Sequence, residues 1–342
     1  MKYIYRAWLF IALISAISLS GCKPAASTQQ PTVKPTALPP GITREMVTAL
    51  DSLVKVDEYP LYTMHQSGEY PGITSEDIKP ETDFSCALFS AMGDEKNRIY
   101  GRNFDWYYSP ALMLFYDPPD GYASVSMVDL AYLGVEEETA SGLADLPLEE
   151  RLFLLNAVYL PFDGMNEAGL AIGMAAVFES VSGYDSTKES IGSVEIIREV
   201  LDHASSVSEA IALFASYNID FGGEPPIHYL VADRSGESAL IEFVDGEMVV
   251  LPNENPWQVA TNHLRATAVG SGGCNRYLII DDRLEDTGGR MDFSSSMDVL
   301  YDTGQPDSTQ WSIVYNMTTG EMHIALDMDL ENIYSFTLEQ LP

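Results

Sequence analysis

Residues 83–106 read DFSCALFSAMGDEKNRIYGRNFDW, and this stretch gives the clearest indication of the fold. Two largely apolar runs, Cys86 to Met92 and Arg98 to Phe104, flank a Gly-Asp-Glu-Lys-Asn segment that is typical of a hairpin turn. In an antiparallel hairpin the end of the second strand lies beside the start of the first. We therefore expect the last residues of the second run to lie next to the first residues of the first run.

Three residues of this hairpin are candidates for chemistry. Cys86 opens the first strand, and Arg102 and Asp105 lie near the end of the second. A fixed guanidinium near a thiol favours the thiolate and lowers its pKa, and a carboxylate can orient a nearby amine. Judged by spacing alone, a buried structural thiol with Arg102 and Asp105 as a surface ion pair is the more common arrangement.

The rest of the chain predicts antiparallel strands with helices in groups, which indicates an α+β layered fold. Strands are predicted at Ser124–Leu133, Gly169–Phe178, Ile227–Asp233, Ser238–Val244, Glu247–Leu251 and Gln258–Asn262. Helices are predicted at Thr43–Val56, Leu148–Ala157, Ser193–Ala204, Ser208–Tyr217 and Asn275–Glu285. Between the first helix and the hairpin, residues 59–84 are rich in Tyr, Gly and Pro and predict loop and short strand. No boundary is expected after Gly41.

The first 22 residues indicate export. Two basic residues precede an apolar run, Ala7 to Ile17, which is too short to span a bilayer and fits the core of a signal peptide. The run leads into Leu-Ser-Gly-Cys ending at Cys22, which resembles the bacterial lipobox and predicts lipidation of that cysteine; an ordinary signal peptide is the alternative. We expect a signal peptide at 1–21, a Pro-rich tether at 22–42, and a lipoprotein anchored in the cell envelope or outside the cell.

Charge and composition exclude some classes of function. The chain has 342 residues, 46% of them hydrophobic, which is enough for a large buried core. It carries 51 Asp and Glu against 18 Lys and Arg, a net charge of −33. Such a charge repels nucleic-acid phosphates and anionic lipid, so no nucleic-acid partner is expected and membrane contact is expected through Cys22 only. No metal site or cofactor is predicted, and the oligomeric state is left open.

Several motifs together resemble the N-terminal-nucleophile family of linear amide C–N hydrolases, which includes penicillin V acylases, bile-salt hydrolases and isopenicillin N acyltransferase-like enzymes. In that family an Arg follows the nucleophilic Cys by 16 residues and an Asp by 19, as Arg102 and Asp105 follow Cys86 here. Four further stretches agree in order: Asp163–Leu170 (DGMNEAGL), Ala260–Asn262 (ATN), Cys274–Tyr277 (CNRY) and Gln310–Asn316 (QWSIVYN).

The resemblance implies a four-layer αββα sandwich and a set of roles. Cys86 would be the nucleophile, its freed α-amine the general base, Arg102 the stabiliser of the thiolate, and Asp105 the group that orients the amine. Asn262 with a backbone N–H would form the oxyanion hole, and Arg276 would complete the electrostatics. No separate catalytic histidine is then required.

The resemblance also implies maturation, because residues precede the nucleophile. Cys86 becomes N-terminal only if the Ser85–Cys86 bond is cut, which divides the chain into a prosegment at 43–85 and a catalytic domain at 86–342. Aromatic residues near the nucleophile, Phe104, Trp106 and Tyr107, are candidates for an acyl pocket, although core packing explains them equally well.

One departure from the family and several alternatives remain at this point. Some relatives place an oxyanion-hole Asn ten residues after the Asn of the DGMNE motif, where this chain has Ala176. The expected substrate is a small-molecule N-acyl amide, whose identity the sequence leaves open. An acyltransferase, a catalytically inactive ligand-binding lipoprotein and a papain-type protease, which would need a Cys–His pair, are the alternatives.

Overall fold

A computed structural model describes residues 41–68, 85–222 and 225–340. The expected signal peptide at 1–21 and the lipidation site Cys22 lie outside the described residues, as does the tether up to residue 40. No helix in the described part of the chain is long and apolar enough to cross a bilayer.

Seventeen strands are formed within the described residues. They are β1 (Val54–Asp57), β2 (Leu61–Ser67), β3 (Ser85–Ala91), β4 (Ile99–Asp105), β5 (Ala111–Asp117), β6 (Ser124–Asp129), β7 (Asp163–Asn166), β8 (Leu170–Ala176), β9 (Glu189–Gly192), β10 (Tyr217–Asp220), β11 (Ile227–Asp233), β12 (Ser238–Val244), β13 (Glu247–Pro252), β14 (Trp257–Ala260), β15 (Thr309–Asn316), β16 (Glu321–Leu326) and β17 (Tyr334–Thr337). The α-helices are α1 (Arg44–Asp51), α2 (Glu137–Ala140), α3 (Glu195–His203), α4 (Val207–Ser216), α5 (Asn275–Thr287) and α6 (Phe293–Thr303), and 3₁₀ helices span Leu130–Leu133, Leu143–Asp145, Leu148–Tyr159 and Leu338–Gln340.

Two mainly antiparallel sheets carry the fold. The larger has nine strands in the order β1-β2-β5-β6-β7-β8-β11-β12-β13, and the smaller has six in the order β14-β3-β4-β15-β16-β17. In the larger sheet β2 and β5 run parallel, whereas the other neighbours are antiparallel. The short strands β9 and β10 form a separate parallel pair.

Alternation along β3 shows how the layers are stacked. Cys86 and Leu88 belong to the apolar core between the two sheets, whereas Ala87 and Phe89 belong to a second core against α5 and α6. Successive side chains of a strand point to opposite faces, so β3 is covered on both sides. Helices α3 and α4 pack on the outer face of the larger sheet. The result is the four-layer αββα sandwich that the resemblance implied.

The segment before the hairpin is more ordered than its composition predicts. The helix expected over Thr43–Val56 ends at Asp51, because Val54–Asp57 forms β1 and pairs with β2. Its start is as expected, since the Thr43 side chain accepts a hydrogen bond from the amide of Met46. One of the short strands expected over residues 59–84 is the largely buried strand β2.

Two other elements differ in kind from the prediction. The strand expected over Ser124–Leu133 ends at Asp129, whose carboxylate accepts a hydrogen bond from the amide of Ala131 and starts a 3₁₀ turn. The helix expected over Leu148–Ala157 is a long 3₁₀ helix.

Candidate active site

Strand register places three chain segments around Cys86. In the β3–β4 ladder Ser85 pairs with Asp105 and Cys86 with Phe104. In the β14–β3 ladder Ala260 pairs with Leu88, so continuing the same antiparallel register brings Asn262 opposite Cys86. The proximity of the hairpin residues follows from local sequence, whereas Asn262 arrives through pairing across a long stretch of chain.

The Cys86 thiol faces the guanidinium of Arg102. The distance from Arg102 Nη2 to Cys86 Sγ is 3.8 Å, and the Arg102 side chain is fully buried. Arg102 Nη1 donates to the carbonyl of Phe162 and to Asp163 Oδ2, both at 2.5 Å. Asp163 also accepts a hydrogen bond from the hydroxyl of Tyr315 at 2.5 Å. The buried cation beside the thiol is therefore already paired with a buried anion.

The pKa of the thiol in the uncut chain is governed by its burial. Burial raises the pKa of Cys86 above its ordinary value, and the positive charge of Arg102 offsets only part of that rise. Arg102 lowers the pKa of the thiol, as expected, but burial outweighs this effect in the uncut chain. The physical reason is the desolvation of the thiolate, to which the negative charge of Asp105 adds.

The nitrogen of Cys86 has a different set of partners. In the uncut chain it is a peptide nitrogen, and it stands in for the α-amine that cleavage at Ser85–Cys86 would release. It donates to Asn262 Oδ1 at 2.8 Å. Arg276 Nη2 donates to the same oxygen at 2.6 Å, and Arg276 Nη1 donates to Asp105 Oδ2 at 2.8 Å. A chain of hydrogen bonds therefore links the nitrogen of the nucleophile to Asp105 through Asn262 and Arg276.

Asp105 lies on the face of β4 opposite to Arg102, toward the segment that follows α6. Thr309 Oγ1 donates to Asp105 Oδ1 at 2.5 Å, and Gln305 Nε2 donates to Oδ2 at 3.3 Å. Burial raises the pKa of Asp105 to about 6, against the opposing influence of Arg276 and the two hydrogen bonds. In the uncut chain Asp105 thus contacts Arg276 rather than the nitrogen that it was expected to orient.

The side-chain amide nitrogen of Asn262 also has a hydrogen-bond partner. Asn262 Nδ2 donates to the carbonyl of Ala176 at 2.8 Å. Ala176 is the position at which some relatives carry an additional asparagine. A primary amide has two N–H groups, so one remains to face an oxyanion.

An apolar cavity opens beside the thiol. Its volume is about 420 Å³, the open mouth included. The lining residues are Cys86, Arg102, Phe104, Trp106, Tyr132, Phe162, Met174, Ala176, Ser193, Val194, Pro225 and Ile227. Phe104 and Trp106 thus line the cavity as expected, but Tyr107 does not: its side chain is 48% exposed because it follows Trp106 out of the cavity wall.

Comparison with known proteins identifies the family. Residues 86–265, more than half of the chain, match the profile of the linear amide C–N hydrolases, choloylglycine hydrolase family. The chain belongs to this family.

Curated relatives match over shorter stretches. A penicillin V acylase of Pectobacterium atrosepticum is 32% identical over 113 residues, which cover 29% of this chain and 29% of that protein. An uncharacterized protein of Paramecium bursaria Chlorella virus 1 is 34% identical over 110 residues, which cover 29% of this chain and 38% of that protein. The chain thus spans about a third of the length of the curated relatives it matches.

Solved structures share the fold. Penicillin V acylase from Agrobacterium tumefaciens superposes with a TM-score of 0.52 at 17% identity, covering 75% of this chain and 87% of that one. A variant of conjugated bile acid hydrolase from Clostridium perfringens superposes with a TM-score of 0.54 at 17% identity, covering 75% of this chain and 94% of that one. The sandwich of this choloylglycine hydrolase family member is therefore the fold of those enzymes.

Sequence reasoning missed three residues of the site. Asp163 begins the DGMNEAGL motif, but nothing in the motif shows that its carboxylate pairs with Arg102 across the two sheets. Gln305 and Thr309 lie outside every motif: Thr309 pairs with Asp105 in the β15–β4 ladder, and Gln305 lies in the turn before β15. No sequence signal identifies this last pair.

The second thiol is separate from the nucleophile. Cys86 and Cys274 are both free, and Cys274 is half-buried. The hydroxyl of Thr261 donates to its sulfur at 3.4 Å. Within the described residues, no group of His, Cys, Asp and Glu side chains is placed to hold a metal ion.

Proposed function

We propose that this family member is an amidohydrolase that cleaves a linear N-acyl amide bond with Cys86 as an N-terminal nucleophile. The observation that carries the proposal is the arrangement of the two reactive atoms of Cys86. Its sulfur lies 3.8 Å from the Arg102 guanidinium, and its nitrogen hydrogen-bonds Asn262 at 2.8 Å. After cleavage this one residue would supply both the nucleophile and, as its free α-amine, the base.

Maturation is the first step of this proposal. Cys86 Sγ attacks the carbonyl carbon of Ser85, the bond from that carbon to the Cys86 nitrogen breaks, and the nitrogen takes up the thiol proton. Water then hydrolyses the thioester, which restores the thiol and leaves Ser85 with a carboxylate. The products are a prosegment that ends at Ser85 and a catalytic chain that begins with the free amine of Cys86.

Turnover repeats this chemistry on a substrate. The α-amine, with an ordinary pKa of about 7.7 to 8.0, accepts the thiol proton near neutral pH. The free N–H of Asn262 and a backbone N–H stabilise the tetrahedral oxyanion, and one such donor is typically worth about 3 to 4 kcal/mol of barrier. Protonated amine then passes its proton to the leaving group, and water releases the acyl group from sulfur.

The cavity defines the class of acyl group that we propose. Its walls are mostly aromatic and aliphatic, and the positive charge of Arg102 is neutralised by Asp163 at 2.5 Å. An uncharged, apolar acyl group is stabilised there by desolvation, whereas a carboxylate on the acyl chain would find no unpaired cation. We therefore propose an N-acyl amide with an apolar acyl group as substrate.

The location of the enzyme follows from the N-terminal sequence. We propose export through the signal peptide and anchoring through lipidated Cys22, so that the prosegment is the part of the chain tied to the membrane. The Pro-rich residues before Gly41 support this role as a tether.

Intact mass and N-terminal sequencing test the nucleophile directly. Purified wild type should show a new N-terminus at Cys86, and Cys86→Ala should remain uncut. Cys274→Ser is the matched control, because it removes the other thiol of the described residues and should be cut as wild type is. Cleavage in Cys86→Ala, or Cys86→Ala as active as wild type toward N-acyl amides, would contradict the proposal. If wild type and Cys86→Ala both remained uncut, the result would point to a binding protein.

A further inference from the structure

The side chain of Ser85, which precedes the bond proposed to be cut, is held from two sides. Its hydroxyl lies 3.4 Å from Asn262 Oδ1 as donor, and it accepts a hydrogen bond from Gln305 Nε2. Asn262 also receives the hydrogen bond from the nitrogen of Cys86. Ser85 and Cys86, which flank the bond proposed to be cut, therefore both hydrogen-bond Asn262.

Gln305 is itself rigidly placed. It follows α6 in a tight turn, where its amide donates to Thr309 Oγ1 at 2.8 Å and its carbonyl accepts from the amides of Ser308 and Thr309 at 3.0 and 2.9 Å. Its side-chain amide divides its donors between Ser85 and Asp105 Oδ2. Gln305 thus connects the residue before the bond to the carboxylate of the site.

We propose that Gln305 is a positioning residue for self-cleavage, which holds Ser85 so that its carbonyl carbon lies in the path of Cys86 Sγ. This inference rests on the proposed function, because it assigns a residue to the maturation step of that site. The step itself is the acyl shift from nitrogen to sulfur described above. Gln305 touches neither the sulfur nor the peptide nitrogen, so it acts through Ser85.

Cleavage of the Ser85–Cys86 bond changes the contacts of Ser85 and Gln305. When Ser85 becomes a chain end, its side chain is no longer tied to the nucleophile through a peptide bond. Gln305 Nε2 still has Asp105 Oδ2 as acceptor at 3.3 Å, so its amide need not be left unsatisfied. Loss of Gln305 also removes a partner of Asp105 in the cut chain, whereas loss of the Ser85 hydroxyl should slow maturation and leave the matured nucleophile nearly unchanged.

A double-mutant cycle tests this. Gln305→Met keeps the volume and removes the donor, and Ser85→Ala removes the acceptor. Freshly translated full-length chain is followed by intact mass, which gives the rate of cleavage. Each single variant should be cut about ten times more slowly than wild type, since one lost hydrogen bond is worth about 1.4 kcal/mol. The double variant should be slowed by clearly less than the product of the two single effects, because both substitutions remove the same Gln305–Ser85 hydrogen bond.

Two further measurements separate positioning from general damage. Ser308→Ala lies in the same turn and should be cut at the wild-type rate. In the cut chains, the rate at which iodoacetamide alkylates Cys86 should be the same for Ser85→Ala and wild type within about twofold, because the catalytic chain that begins at Cys86 is then identical in both. Normal cleavage of Gln305→Met, or independent effects of the two substitutions, would overturn the inference alone. A wild-type chain that stays uncut would overturn both the maturation step and this inference.

Discussion

At the residue scale, the site depends on the two groups that the guanidinium of Arg102 contacts. One nitrogen of its guanidinium faces Cys86 Sγ at 3.8 Å, and the other binds Asp163 at 2.5 Å. The side chains of Arg102 and Asp163 have no exposed surface, so neither charge is solvated by water. A buried ion pair of this kind adds little to the free energy of unfolding, because both charges have lost their hydration. Removal of one partner is nevertheless costly, because it leaves the other charge buried without a counter-charge. Arg102 therefore needs Asp163 in order to remain beside the thiol.

Replacement of Asp163 should consequently be severe. We expect Asp163→Asn to lower the free energy of unfolding by about 3 to 5 kcal/mol, because it leaves the Arg102 charge buried without an anion. Urea denaturation measures this, in the Cys86→Ala background so that every chain stays uncut. The matched control is Asp302→Asn, which breaks the exposed Arg283–Asp302 pair of 3.2 Å and should cost less than about 1 kcal/mol. If both variants lost the same free energy of unfolding, Asp163 would not be needed to compensate the buried charge of Arg102.

At the element scale, local sequence predicts the hairpin well and the segment before it poorly. The β3–β4 hairpin follows from two apolar runs and a polar turn that are all close in the chain. The end of α1 does not, because Val54–Asp57 keeps a spacing compatible with a helix and becomes a strand only through pairing with β2. Tertiary pairing of this kind is invisible to periodicity.

Asp129, which ends β6 and starts the 3₁₀ turn that carries Tyr132, makes the stability of this region depend on pH. Burial raises its pKa to about 7, well above that of an unfolded aspartate. The folded protein therefore binds this proton more tightly, and stability from this group falls as pH rises from about 4 to about 7. Asp105, with a pKa of about 6, acts in the same direction over a narrower range.

We expect Asp129→Asn to reduce the loss of stability on raising the pH from 4 to 8 by a few kcal/mol. Asparagine keeps an oxygen that can accept from the amide of Ala131, and it has no proton to lose. Urea denaturation at a series of pH values measures the change in the Cys86→Ala background. A pH profile parallel to that of the unsubstituted chain would show that Asp129 is already ionised in the folded protein at low pH.

At the scale of the whole molecule, the site is assembled from parts of the chain that are distant in sequence. The hairpin supplies Cys86 and Arg102, the end of β14 supplies Asn262, and the start of α5 supplies Arg276. Motif resemblance located all four, and the strand registers show how they meet. Gln305 could not be found in this way, because its place depends on where the chain turns after α6 rather than on any local pattern.

The segment proposed to be the prosegment, residues 43–85, belongs to the same assembly through its described residues 43–68. Strand β2 pairs with β5 over its full length, from Leu61 with Ala111 to Ser67 with Asp117. Leu50, Leu61, Tyr62 and Met64 are fully buried. The hydroxyl of Tyr59 donates to Gln310 Oε1 at 2.6 Å. Gln310 in turn donates to the carbonyl of Trp106, a residue of the cavity wall, at 3.0 Å. The part of the chain before the proposed cut thus supports the acyl cavity.

This architecture predicts that cleavage does not separate the two pieces. Burial of one large apolar side chain stabilises by about 1.5 to 3 kcal/mol, so dissociation of this segment would expose four such side chains to water at a large cost. In size-exclusion chromatography of cut protein, the prosegment should elute with the catalytic chain and separate only in denaturant.

Tyr59→Phe sharpens the test, because it removes the hydrogen bond to Gln310 and keeps the apolar packing. It should leave the two pieces together and raise the KM for an apolar N-acyl amide more than it lowers kcat, since it loosens the wall and not the nucleophile. A catalytic chain that elutes alone and remains active would show that the prosegment is dispensable. Activity would then be expected in the medium rather than at the membrane anchor.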